Sequence, residues 1–252
     1  MSKRLLVRAD DLGFSEAVNY GIERTLHTGI VRSVGVMANM PAAEHGVRLL
    51  SGHDVAVGLH ACISAGEPLS DSSLVPSLVE STEQFHGSAA YRAVEEDFVS
   101  FEEAYREIRL QVDQLKSLLG RLPDYIDIHA VLSPSFMRAA AAVAEKLGLP
   151  VSLLPDRGCD SMRVGGSIVR VLPMRPAASV QDARKHFLDG AASISLGETA
   201  MAICHPGYLD AYIMEHSSLT ESRTYEAEAL SSAGMIDQLA RLGIELIDYR
   251  VL

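Results

Sequence analysis

The chain has 252 residues, 48% of them hydrophobic and 22% charged, enough length and apolar material for one globular domain with a sizeable core. Its formal net charge is −11, from 22 Lys+Arg against 33 Asp+Glu, and no basic run occurs, which argues against a nucleic-acid partner. Three widely spaced cysteines, Cys62, Cys159 and Cys204, imply no disulfide framework and read as reduced thiols of a cytoplasmic protein.

The opening "MSKRLLVRADD" gathers only three apolar residues, Leu5 to Val7, before charge returns, too few for a signal-peptide core or a membrane span. It reads as a first strand that ends in two adjacent acids, Asp10 and Asp11. Ser15 then caps a helix whose apolar face is Val18, Ile22 and Leu26. "VRSVGVMAN" and "DVAVGLH" are the next strands. From Ser64 to Ser100 the chain turns polar and carries Gly66, Pro68, Pro76 and Gly87, a long loop excursion with room for a short helix; loops of that length in a compact domain are usually functional. Tyr105, Ile108, Val112, Leu115 and Leu119 mark a longer helix closed by Gly120, "YIDIHAV" a strand, and Met137 to Leu147 a helix closed by Gly148. "VSLL", "IVRVLP" and "TAMAICH" are further strands, Met235 to Leu242 a helix closed by Gly243, and "IELIDYRV" the last strand. Most of these runs are apolar throughout rather than alternating, as strands covered on both faces are. About eight strands with intervening helices predict an α/β fold: a single (β/α) barrel domain over 1–252, TIM-barrel-like, distorted or seven-stranded, with a doubly wound open sheet as the alternative.

In a parallel barrel the βα loops all open at the carboxyl ends of the strands. Asp10 and Asp11 close the first strand, His60 closes "DVAVGLH", His129 ends "YIDIH" and His205 ends "TAMAICH". The other six histidines, His27, His45, His53, His86, His186 and His216, fall in helices or polar loops, where a solvated imidazole needs no special role. Taken singly, each strand-end histidine reads as a hydrogen-bonded structural residue, and Cys62 and Cys204 as small buried hydrophobes. Together, one carboxylate and two imidazoles make a site for Zn²⁺ or another divalent ion that keeps open positions. Two neighbouring carboxylates repel unless a cation separates their roles, so one of the pair can bind the ion and the other stay free as a base. His205 then stands as a potential general acid, which completes a kit for metal-assisted amide hydrolysis.

The segments "RADDLGFSEAVNYGIERTLHTGIVRSVGVMANMP", "VGLHACISAGEPLS", "VPSLVE", "YIDIHAVLSP" and "CHPGYLD", in that order, resemble the YdjC-like carbohydrate deacetylases over nearly the full length. The resemblance implies a barrel-like fold, a divalent metal such as Mg²⁺ or Zn²⁺, and removal of an N-acetyl group from an amino sugar or short oligosaccharide. It would make Asp11, His60 and His129 the metal ligands, Asp10 the general base, His205 the general acid, and Arg175 of "PMRP" a substrate-binding residue. One departure stands out. The family's D-x-H-x-H pattern keeps His129 here but has Val131 at the second histidine, and strand alternation would place that residue beside His129, touching substrate or a ligand water. The expected partners are a small carbohydrate and, through the outer helices, a second copy in a homodimer. A glycolipid headgroup or another amide is the alternative substrate, and a sugar-binding protein without turnover the alternative class.

Overall fold

Nine strands belong to one sheet in the computed structural model, which describes residues 2–155 and 158–252. They are β1 (Lys3–Leu12), β2 (Ser33–Val36), β3 (Ala56–Ala61), β4 (Tyr125–Ile128), β5 (Val151–Ser152), β6 (Ser161–Val164), β7 (Ser167–Val171), β8 (Thr199–Cys204) and β9 (Ile244–Ile247). The order is β5-β4-β3-β2-β1-β8-β7-β6, parallel except for the β6–β7 hairpin. β1 is central and has three neighbours. β8 lies along one side of it, from Arg4 opposite Thr199 to Ala9 opposite Cys204. On the other side β9 pairs with its start and β2 with its end. The two ends of the sheet come close, with Ser152 Oγ 3.9 Å from Met162 Sδ, so the sheet is a nearly closed barrel.

The expected strand runs all contain strands, and β6 is an addition. It completes a hairpin with β7 and supplies the antiparallel seam of the barrel.

The helices are α1 (Glu16–Leu26), α2 (Ala43–Leu49), α3 (Ser88–Arg92), α4 (Phe101–Leu119), α5 (Pro134–Leu147), α6 (Val180–Ala192), α7 (Ala211–His216), α8 (Glu221–Leu230) and α9 (Met235–Arg241). Their ends are set by local chemistry. Ser15, Ser100 and Ser133 each accept a hydrogen bond from a backbone N–H in the first turn of α1, α4 and α5, and Gly120 and Gly148 take the left-handed conformation that stops α4 and α5. None of the helices described is long and apolar enough to cross a membrane.

Strand alternation divides the core in two. Leu5, Val7 and Ala9 face the helices, within the larger apolar cluster. Leu6 joins Tyr125, Val169, Met201, Ile203 and Tyr249 in a smaller cluster inside the barrel. The rings of Tyr125 and Tyr249 stack there with centroids 3.6 Å apart. Gly58 makes that stack possible, because a Cβ at this position would lie 2.3 Å from the Tyr125 ring.

The 64–100 excursion is pinned down. It holds a 3₁₀ turn at Ser72–Leu74, a bridge between Val79 and Phe85, and α3. The Glu107 carboxylate accepts the backbone N–H groups of Leu69 and Ser70 at 3.0 and 2.9 Å, and Glu103 accepts that of Ser77 at 2.7 Å.

Candidate metal and catalytic site

Adjacent residues on a regular strand point to opposite faces, so Asp10 and Asp11 could not both reach one cavity from an undistorted β1. The strand is distorted there. Its register with β2 shifts between Ala9 and Leu12, and Asp11 sits at φ +75°. Asp is among the few residues that tolerate this left-handed region, and the irregularity re-aims its side chain. Both carboxylates line a cavity of about 260 Å³ that is also lined by His60, His129 and His205.

Three donors converge at its floor. His129 Nδ1 lies 3.0 Å from Asp11 Oδ1, His60 Nε2 3.3 Å from the same oxygen, and the two ring nitrogens 3.1 Å apart. Neighbouring ligands of one ion, bonded at about 2.1 Å, stand roughly 3.0–3.4 Å apart, so this triangle fits a single divalent cation. Two nitrogens and one oxygen favour Zn²⁺ and its transition-metal neighbours over a hard ion.

Two of the three candidate ligands, His60 and Asp11, are held from behind. His60 Nδ1 lies 3.0 Å from Asp127 Oδ2, which places a ring proton on Nδ1, so that the neutral form of the imidazole turns its Nε2 lone pair toward the triangle. Arg223 Nη2 donates to Asp11 Oδ2 at 2.7 Å, leaving Oδ1 free for an ion. Asp10 is gripped by Arg8, Nε to Oδ1 at 2.6 Å and Nη2 to Oδ2 at 2.8 Å, and the same Nη2 reaches Asp127 at 2.8 Å. Arg8 Nη1 donates to the Tyr249 hydroxyl at 2.8 Å, which ties the site to the barrel interior. Arg8, Asp10, Asp11, His60, Asp127 and Arg223 are all buried. Three acids against two guanidiniums leave one negative charge in excess, which a bound cation or a protonated imidazole neutralises.

Burial alone would raise the Asp10 and Asp11 carboxyls. Arg8 beside Asp10 overrides it and holds that carboxyl below the usual range, and Arg223 with His129 holds Asp11 well below. Burial likewise opposes charge on His60, but Asp127 and Asp10 win and raise its imidazole well above the ordinary value.

His205 follows β8, and its backbone N–H donates to the Glu226 carboxylate at 2.7 Å. The Pro206-Gly207 turn after it packs on α1 at very close range: a Cβ on Gly21 would lie 2.4 Å from Gly207 Cα, and Tyr208 N–H donates to Ala17 carbonyl at 3.0 Å. Arg175 is elsewhere. It lines a second, larger cavity of about 580 Å³ and makes a two-pronged pair with Asp182, 2.6 Å on each arm. The two cavities adjoin, with Met174, Ile203, His205 and Leu219 in both walls.

The family model for YdjC-like protein matches residues 4–241. The chain belongs to the YdjC-like family. It is 33% identical to a carbohydrate deacetylase of Geobacillus stearothermophilus, over 99% of this chain and 98% of that one. It is 30% identical to a chitooligosaccharide deacetylase of Klebsiella pneumoniae, over 99% of each. Among solved structures, an Enterococcus faecalis protein named for cellobiose-phosphate cleavage superposes with a TM-score of 0.83 at 25% identity, over 100% of this chain and 99% of that one. The Xyl-CE4 domain of a xylanase from the hindgut metagenome of Trinervitermes trinervoides, at 10% identity and TM-score 0.50 over 98% and 88% of the two chains, shares the fold alone.

The departure from the YdjC-like pattern at Val131 acquires a different meaning in three dimensions. β4 ends at Ile128 and Ala130 takes φ +53°, so strand alternation stops before it reaches Val131. Val131 is buried in the apolar cluster with the helices, and the residues of this segment that line the cavity are Ile128, His129 and Ala130. It does not stand beside His129 as alternation implied. Arg8, Asp127 and Arg223 also belong to this buried network, although nothing in the sequence alone assigned them a role. Arg8 and Asp127 left a trace, each a charge two residues before a site residue in an apolar strand. Arg223 left none, being one polar residue among many in "TESRTYEAEA".

Proposed function

We propose that this YdjC-like chain is a metal-dependent deacetylase that hydrolyses the N-acetyl group of an N-acetylated amino sugar or short oligosaccharide, with Asp11, His60 and His129 as ligands of the divalent ion, for which their chemistry favours Zn²⁺ over Mg²⁺. The observation that carries the reading is the triangle of three donors 3.0–3.3 Å apart with a second carboxylate, Asp10, lining the same cavity. Curated relatives named as carbohydrate deacetylases support the substrate class.

A bound divalent ion supplies Lewis acidity toward the acetyl carbonyl and acidifies a water. The chain supplies the proton traffic. Asp10 accepts the proton of the attacking water on a carboxylate oxygen; each oxygen bonded to Arg8 retains a second lone pair for this. Arg8 keeps that carboxylate ionised and fixed. His205 delivers a proton to the amine nitrogen as the C–N bond breaks, so acetate and the free amino sugar leave. Asp127 and Arg223 act as positioning residues for His60 and Asp11.

The adjoining cavity favours a second reading, in which the sugar carries an apolar group. Leu172, Phe187, Ala229 and Leu230 in its wall offer little for a hydroxyl to bond. Release of acetate from N-acetylglucosamine oligomers, after chelation and after return of Zn²⁺ or Mg²⁺, tests the first reading. The same assay on alkyl N-acetylglucosaminides of growing chain length tests the second. No acetate from any of them with either metal overturns both and leaves a binding protein.

A further inference from the structure

Two of the histidines to which the sequence reading gave no role, His27 and His53, meet on the other side of the barrel. Glu23 and His27 are one turn apart at the carboxyl end of α1, with His27 as its C-cap. His53 comes from the turn between α2 and β3, whose shape is set by Gly52 at φ +87° and by the His53 N–H donating to Leu50 carbonyl at 3.1 Å.

Both rings present Nε2 to the same atom. Glu23 Oε1 is 2.7 Å from His27 Nε2 and 4.0 Å from His53 Nε2. The rings meet edge to face, with centroids 5.1 Å apart and planes at 69°. Two imidazoles and a carboxylate thus offer one donor atom each, all within 4.8 Å of one another. The Glu23–His27 contact by itself is an ordinary i,i+4 pair. That pair gives no reason for a third donor from a different element to face the same oxygen.

We propose that Glu23, His27 and His53 form a second divalent-metal site, which takes Zn²⁺ or a neighbouring transition metal and clamps α1 to the turn before β3. Ligand chemistry sets the class of ion, since two imidazole nitrogens with one carboxylate suit Zn²⁺, Co²⁺, Ni²⁺ or Cu²⁺ and are poor for Ca²⁺ or Mg²⁺. The location suits a cation, because the end of α1 carries the negative pole of the helix dipole. The remaining coordination positions open to water, as the His27 side chain is 64% exposed. The role follows from position. α1 leaves the catalytic rim at its first turn and reaches the opposite rim at its last, the barrel face associated with stability rather than chemistry. An ion that binds only the folded chain there raises stability by mass action.

The test uses Zn²⁺ alone as probe. Crystals of the full chain grown with Zn²⁺ and measured at the zinc edge should give an anomalous peak among Glu23, His27 and His53, separate from the Asp11–His60–His129 triangle. In solution, His53→Ala and His27→Ala should each lower the bound zinc by one equivalent per chain and remove part of the zinc-dependent rise in melting temperature. A His60→Ala/His129→Ala double variant should retain one zinc, lost when His53→Ala is added. A crystal at saturating zinc without a peak at Glu23, or a zinc content unchanged by both His27→Ala and His53→Ala, overturns the proposal. The His27 side chain is 64% exposed and tolerates alanine, so His27→Ala reports even if the other variants fail to fold.

Discussion

Arg8 holds both oxygens of Asp10, at 2.6 and 2.8 Å, where neither residue is more than 3% exposed. In the proposed role of general base, this grip keeps Asp10 ionised and aimed without making it a ligand. Asp10→Asn should therefore lower turnover by about 10²–10⁴ with bound metal unchanged, measured as acetate release beside metal content. Metal content falling in step with activity would make Asp10 a ligand instead. Arg8→Met strands a buried carboxylate and should cost about 3–5 kcal/mol of stability, seen as a lower midpoint in urea.

Arg223 and Asp11 define a second relationship with a measurable outcome. The guanidinium takes Oδ2 at 2.7 Å and so presents Oδ1 to the triangle. Arg223→Met should weaken the metal about 10–100-fold, read by competition with a chromogenic chelator, while an orienting role that matters little predicts unchanged affinity.

The raised His60 imidazole gives the metal-free protein a distinctive pH response. Asp127 and Asp10 overcome its burial and raise it in the folded state, so the stabilisation from protonated His60 is fully present below the ordinary value of about 6.5. That stabilisation is lost as pH rises through the higher folded value. The melting temperature of the chelated protein should decline across this window, and Asp127→Asn should flatten the decline. A ligand must be a neutral imidazole, so metal binding should release a proton over the same range, visible as a calorimetric heat that depends on the buffer's ionisation enthalpy. A heat independent of buffer would contradict the assignment of His60 as a ligand.

His205→Ala should slow hydrolysis of an unactivated N-acetyl amide far more than that of an acetyl ester with a phenolate leaving group, because only the amine must be protonated as it departs. Equal losses on both substrates, with a lowered melting temperature, would assign His205 to anchoring the Pro206-Gly207 turn against α1.

Much of this was legible in the chain. Unbroken apolar runs gave the strands, since a strand covered on both faces has no polar side to show. Serine caps and closing glycines gave the limits of α1, α4 and α5. The short, half-exposed hairpin strand β6 was not legible, because "SMRV" has neither the length nor the apolar density of the others. α6 buries Ala183, Phe187 and Ala191 at helical spacing, but two of the three are alanines and signal weakly. Asp10 and Asp11 were readable as a pair, whereas the bulge that brings both to one cavity was not, since φ +75° at Asp11 leaves no mark in composition. The turn at Ala130 that sends Val131 into the core was hidden in the same way.

The anchoring of the 64–100 excursion bears on how substrate range can be exchanged between relatives. Ser64, Ala65, Ser88 and Arg92 from this segment line the cavity of Asp10, Asp11, His60 and His129. Its backbone is fastened by Glu103, Glu107 and Gln111, every fourth residue along one side of α4, with Gln111 bonded in both directions to Cys62. The excursion and the first half of α4 are therefore one cassette. A chimera that imports a foreign loop but keeps the host helix leaves the buried Glu107 and half-buried Glu103 carboxylates facing backbone they were not spaced for. One cut near Cys62 and again past Gln111 transfers the loop together with its own fastenings.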